Sequence, residues 1–231
     1  PTAISPWRLP CGEQEAWDML RLLGQQGVKP SDVVLAIHPW TSNPRKQWSL
    51  AHYREVVEAL RERRLEPIVT LHHFTSPQWL AEAGGWTNPK VVDWFARYTE
   101  RVVKLLGGML RYWVTINEPM VYVYMHYITG EGPPGAHDLK QALRVTEHLI
   151  RAHAASYHVL HARTPSGDAP VRVSIAKHLP VIIPCRRWWP LDRVATTLSA
   201  RFFNGAFLEA VIEGRWHVPG LPSWRIADAR G

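Results

Sequence analysis

Cysteine is nearly absent from this 231-residue chain. Cys11 and Cys185 are too few for a disulfide framework, and neither sits in a Cys-x-x-Cys or histidine-rich setting that would hold zinc. Long apolar runs are absent as well: none approaches the roughly 18 residues needed to cross a bilayer. Residues 1–11 lack the basic stretch and apolar core of a secretory leader. A reduced, cytoplasmic setting is therefore the expectation, with no membrane partner and no metal or other cofactor. The phosphate-cradling pattern G-x-x-x-x-G-K-[S/T] does not occur. There is no basic block interleaved with aromatics, although the formal charge is +7 and 21 of the 27 basic residues are arginine. The arginines are scattered, usually beside glutamate, as a solvated outer surface would have them, so nucleic acid is not an expected partner.

What is present is material for a core: 46% of the residues are hydrophobic and 20% charged, which suits one large globular domain spanning residues 1–231. Helical periodicity recurs. Leu50, Tyr53, Val56, Val57 and Leu60 line one face of a segment starting near Ser49. Val91, Phe95, Tyr98, Val102 and Leu106 line a second, with Asn88 as cap and Pro89 as first helical residue. Leu139 to His161 reads as a long third helix. Residues 13–24 and 192–213 read as two more, the last with Val194, Leu198, Phe202 and Val211 on its apolar side. Between them, residues 33–37, 67–72, 111–116 and 171–176 have strand length and composition. Pro/Gly-rich stretches at 130–135 and 164–170 read as long loops. Alternating strands and helices predict parallel strands with crossover helices. Alternation alone does not separate a barrel from an open doubly wound sheet, although the missing P-loop favours the barrel.

In such barrels functional side chains gather where strands end. One predicted strand ends in His72-His73-Phe74 and the next in Asn117-Glu118-Pro119. A carboxylate at a strand end, fixed by a following proline and flanked by an amide, is placed for general acid/base work, and an imidazole on the neighbouring strand could meet a substrate hydroxyl. Each pattern alone also reads as a turn with a surface glutamate or as a structurally satisfied histidine pair. The twelve tryptophans divide likewise between sugar-stacking faces and core packing.

At these residues the chain resembles a known family. Pro67-Ile-Val-Thr-Leu-His-His-Phe-Thr-Ser-Pro-Gln-Trp-Leu80, Gly85-Trp-Thr-Asn-Pro89, Trp113-Val-Thr-Ile-Asn-Glu-Pro119, Gly130-Glu-Gly-Pro-Pro-Gly135 and the segment from Phe202 to Arg215 are similar, in order and spacing, to segments of family 1 glycoside hydrolases, the β-glucosidase family. The resemblance implies a (β/α)8 TIM barrel and hydrolysis of β-linked glucosides or galactosides with retention of configuration. It implies that Glu118 is the general acid/base, that Asn117 holds the sugar 2-hydroxyl and that His73 binds the non-reducing sugar. Phe74 stands where the family commonly has tryptophan, which keeps an apolar wall and loses an indole donor.

The chain also departs from the family. The nucleophile motif Thr/Ser-Glu-Asn-Gly is missing, and Glu131, Glu209 and Glu213 fall in a loop and in a helix pattern. About four of eight barrel strands are in hand, so the expected fold is an incomplete barrel that self-associates or takes a complementary chain supplying the other half. Residues 30–46 keep the family's length but not its Tyr-Arg-Phe-Ser strand, as a pair of compensating frameshifts would leave them. If so, another reading frame of the DNA restores that strand; ordinary divergence is the alternative. The chain alone is expected to be inactive for want of a nucleophile, and a non-catalytic carbohydrate-binding or regulatory remnant is the competing reading.

Overall fold

The computed structural model describes residues 34–37, 50–163, 170–217 and 224–225, with backbone alone at 34–37, 50 and 224–225. The expected helix at 13–24, Cys11 and most of the 30–46 segment lie outside the described residues. The chain divides into two compact units, Pro1–Val34 and Leu35–Gly231, and the second carries every helix among the described residues.

Four strands form one sheet in the order β1 (Val34–Ile37), β2 (Glu66–His72), β3 (Tyr112–Asn117) and β4 (Arg172–Ala176). The β2–β3 and β3–β4 pairs are parallel, with Val69 opposite Trp113 and Trp113 opposite Val173. Helices α1 (Leu50–Glu62), α2 (Gln78–Glu82), α3 (Val91–Leu106), α4 (Pro119–Val123) and α5 (Leu139–Arg163) cross between the strands. After β4 come α6 (Pro190–Ala200), α7 (Ala206–Glu213) and a two-stranded antiparallel ribbon, β5 (Arg215–Trp216) and β6 (Trp224–Arg225). This is the strand-crossover-strand arrangement of part of a TIM barrel.

Sequence pattern explains which face each element buries. On α1 the buried residues Tyr53, Val57 and Leu60 recur at helical spacing, and on α3 Val91, Phe95, Thr99, Val102, Val103 and Leu106 do. Pro67, Val69 and Leu71 of β2 and Trp113 and Thr115 of β3 alternate along the strands and face the helices, with less buried residues between them until His72 and Ile116, which are buried as well. On the opposite face Ile68, Thr70, Tyr112 and Val114 are half-buried, His72 and Ile116 at the outgoing end are buried, and at β4 Arg172 and Ser174 are exposed. Helices α3 and α5 are close enough for the buried hydroxyls of Thr99 and Ser156 to share a hydrogen bond of 2.9 Å.

Two expectations need correction. Helix α3 begins at Val91 rather than Pro89, and its N-cap is Lys90 rather than Asn88: Asn88 Oδ1 accepts the Lys90 N–H at 3.0 Å in the turn before the helix, and no side chain caps the helix itself. The helix expected at 192–213 is broken by a π-helical turn at Arg201–Gly205. Of its expected apolar side, Val194 and Leu198 are 55% and 47% exposed, and α6 buries no residue at all. Periodicity marks the face that favours burial and not whether anything covers it.

Candidate active site

Backbone geometry singles out two positions before any chemistry is considered. Among the described residues the non-glycine positions with positive φ are Arg64, Phe74 and Glu118. A side chain in the left-handed region costs about 1–2 kcal/mol and tends to persist where a site requires it. Phe74 (φ 65°) and Glu118 (φ 44°) both lie just beyond the ends of adjacent strands. His72 pairs with Ile116 across the β2–β3 ladder, so His73-Phe74 and Asn117-Glu118 leave the sheet at the same end, side by side.

Local causes hold each position. Pro119 opens α4 and disfavours right-handed helix at Glu118, but a following proline favours extended backbone, so the left-handed turn out of β3 is held by hydrogen bonds and not by proline. The Glu118 N–H crosses to the Ala176 carbonyl at 2.7 Å, and its own carbonyl accepts the Tyr122 N–H at 3.0 Å. Glu118 and Asn117 are half-buried. At the end of β2 the Thr75 N–H closes onto the His73 carbonyl at 2.8 Å, a tight turn that throws Phe74 against its neighbours. The Phe74 ring stacks on Tyr122 with centroids 6.2 Å apart and meets His73 edge-on at 5.3 Å. His73 itself is exposed.

Beneath these residues the two histidines part ways. His72 is buried and edge-on to Trp86 (5.0 Å) and Tyr122 (5.2 Å). Trp86 of the Gly85-Trp86-Thr87 turn is buried too, and its carbonyl accepts the His148 Nδ1–H at 2.7 Å. His72 and Trp86 therefore build the floor under the turn. Burial pushes the Tyr122 phenol well above its usual range, so it stays a neutral hydrogen-bonding group.

The loop after α4 is folded back as a wall. A π-helical turn, Tyr124–Ile128, leaves backbone carbonyls free, and the Gly132, Ala136 and Asp138 N–H groups donate to those of Met125, His126 and Tyr127. A Cβ on Gly132 would come within 2.6 Å of the His126 ring, which requires glycine there. Gly130, Gly132 and Gly135 also match the letters of a dinucleotide-binding G-x-G-x-x-G. Here they join a π-turn to α5 rather than a strand to a helix, so the context that would cradle a phosphate is missing.

One neighbour of the carboxylate escaped the sequence reading. Lys177, the residue after β4, is half-buried, and burial pulls its ammonium down to about 8 while the Glu118 carboxylate pulls the other way. It carries no motif; its place just after a strand end was the available signal. The other candidate carboxylates lie elsewhere, as expected: Glu131 is exposed in the loop, Glu209 pairs with Arg201 at 3.1 Å, and Glu213 is exposed on α7. Among the described residues no group of three or more acidic, histidine or cysteine side chains is disposed to hold a metal ion, and no helix is long and apolar enough to cross a membrane.

Known proteins share both the sequence and the fold. The sequence profile of glycosyl hydrolase family 1 matches residues 36–223. The chain is 29% identical over 161 residues to β-glucosidase A of Thermotoga maritima, a match covering 68% of this chain and 36% of that protein. It is 34% identical over 173 residues to lactase/phlorizin hydrolase of Rattus norvegicus, covering 74% of this chain and 9% of that one. Its fold superposes on a β-glycosidase from Pyrococcus horikoshii with a TM-score of 0.72 and 30% identity, covering 93% of this chain and 49% of that structure. The chain thus spans less than half the length of these relatives.

Proposed function

Because this chain belongs to glycosyl hydrolase family 1, we propose that it supplies the acid/base side of a retaining β-glycosidase site, with β-linked glucosides or galactosides as substrates. The observation that supports this most is the pairing of Asn117-Glu118 with His73-Phe74 at the same end of adjacent parallel strands, with strained backbone at Glu118 and Phe74.

In this reading Glu118, protonated, donates to the glycosidic oxygen as the bond to the anomeric carbon breaks. A second carboxylate attacks that carbon from the opposite face, and the ionised Glu118 then takes a proton from the water that releases the sugar. The two carboxyl groups of such a site stand about 5–5.5 Å apart. Asn117 and His73 hold sugar hydroxyls, and Phe74 with Tyr122 forms an apolar wall. The second carboxylate comes from the barrel strands that the relatives have beyond the matched region, provided as a complementary chain or by further sequence of the same protein. Exposed Val194 and Leu198 on α6 are suited to receive such a half or a second copy of this chain.

A second reading is supported by the carboxylates: among the described residues, Glu118 is the only acidic side chain at the outgoing end of a strand. On that reading the chain binds carbohydrate without cleaving it. Purified chain is assayed with an aryl β-glucoside, alone and mixed with a polypeptide carrying the remaining barrel strands. Aglycone release lost on Glu118→Gln supports hydrolysis. Sugar-dependent quenching of tryptophan fluorescence without release supports binding alone.

A further inference from the structure

Between the end of β2 and the start of α3 lies a cavity of about 110 Å³ that the glycoside reading does not use. None of His73, Phe74, Asn117 and Glu118 lines it. Leu71 of β2, Leu80 of α2, and Val91 and Phe95 of α3 form a buried apolar wall. Trp79 and Trp94 meet edge-on with ring centroids 5.5 Å apart, and Trp79 is 53% exposed, so this pair stands on the side that solvent reaches. His72 and Trp86, the floor under the Phe74 turn, line the cavity as well.

The lining decides what can enter. It includes no aspartate, glutamate, lysine or arginine, and burial raises the Tyr98 phenol above its usual range, which keeps that group neutral. A charged ligand would lose its hydration there without a counter-ion, and a sugar would strand its hydroxyls against the apolar wall. Two polar groups are nevertheless set into the lining. Trp86 is 1% exposed, and its Nε1–H is buried with no hydrogen-bonding partner among the described residues. The Thr75 hydroxyl oxygen is likewise buried and unpartnered among them. A buried donor left unmade is costly, so an occupant that brings an acceptor is favoured over a purely apolar one. Size sets the remaining limit: a closed apolar cavity of about 150 Å³ takes benzene, so one ring suits this cavity with its open side.

We propose that this cavity binds a neutral single-ring phenol. Its ring lies between the aliphatic wall and the Trp79–Trp94 pair, and its oxygen accepts the Trp86 Nε1–H. The Thr75 hydroxyl is the available acceptor for the phenolic O–H. This site is separate from the strand-end residues of the glycoside reading, and its occupation is measured without turnover, so it stands or falls independently of Glu118.

The test titrates phenol, benzene and glucose into the intact chain, with 13C-labelled leucine and valine methyls and 15N-labelled tryptophan, followed by NMR. Phenol should give saturable shifts, with nuclear Overhauser contacts from its ring protons to the methyls of Leu71, Leu80 and Val91, and should move the Trp86 Nε1–H resonance. Glucose should give none of these contacts. Leu80→Phe, which fills the cavity, should abolish them. Trp86→Phe should reduce the preference for phenol over benzene about two- to ten-fold, the worth of one neutral hydrogen bond. Shifts that rise without saturating, saturable shifts without contacts to those methyls, or undiminished phenol binding in Leu80→Phe overturn the proposal. So does wild type that binds benzene as tightly as phenol. The methyl contacts and the phenol–benzene comparison are read in wild type, so they decide the matter even if the variants fail to fold.

Discussion

Lowering the pH should destabilise this fold through one buried ring. His153 is 6% exposed, its Nδ1 lies 2.7 Å from the Thr115 hydroxyl, and that hydroxyl also reaches the Ser174 carbonyl at 3.3 Å. If the hydroxyl donates to the carbonyl, it accepts from Nδ1–H, and the ring is complete as a neutral donor. Adding a second proton places a charge between α5 and the sheet, and burial accordingly holds the His153 titration down at about 4, from an ordinary value of 6.5. Between those values the unfolded chain binds more protons than the folded one, so stability falls as pH drops. The slope approaches about 1.4 kcal/mol per pH unit, and the loss saturates below pH 4 at about 3 kcal/mol. The pH dependence halves at pH 6.5 and fades over about the next unit. The assay is urea unfolding at half-unit steps from pH 4 to 7.5, comparing wild type with His153→Gln, which can still bond Thr115. Subtracting the two curves removes the other histidines. The difference should vary most steeply between pH 4 and 6.5 and level off towards pH 7.5; parallel curves between pH 4 and 6.5 would refute the argument.

Packing sets three further outcomes. Trp113→Ala empties a buried site in the central strand and should cost about 3–5 kcal/mol in denaturant unfolding. Gly132→Ala puts a methyl 2.6 Å from the His126 ring; amide exchange should speed up at Gly132, Ala136 and Asp138, and unchanged protection would contradict a wall held by those bonds. Glu58→Gln breaks an exposed ion pair with Arg54 at 2.8 Å and should change stability by less than about 1 kcal/mol.

The four strands were readable because β-branched and aromatic residues cluster in short runs bounded by turn residues, as in Ile68 to Leu71 and Trp113 to Ile116. Helix α3 was readable from its apolar stripe, while Asn88 before Pro89 marked the turn leading into it rather than its first residue. The π-turns were not, since they depend on distant partners: the Tyr124–Ile128 turn exists because Gly132, Ala136 and Asp138 donate to its carbonyls. The exposure of α6 was hidden for a related reason, its stripe being visible in sequence while its missing cover was not. At the site, Asn117-Glu118 and His73-Phe74 stood out through motif and strand-end position. Their adjacency needed the sheet register. Lys177 needed more, because a lone lysine after a strand says nothing until the strand beside it is known to end in a carboxylate.

Proton donation by Glu118 is tested most directly by leaving-group dependence. Wild type and Glu118→Gln, each joined by the remaining barrel strands, are compared on aryl β-glucosides whose phenols range from strongly to weakly acidic. The first-step rate of the variant should fall by about 10²–10⁴ for poor leaving groups and far less for those that depart without a proton. An equal loss across the series, or no loss, would contradict the assignment.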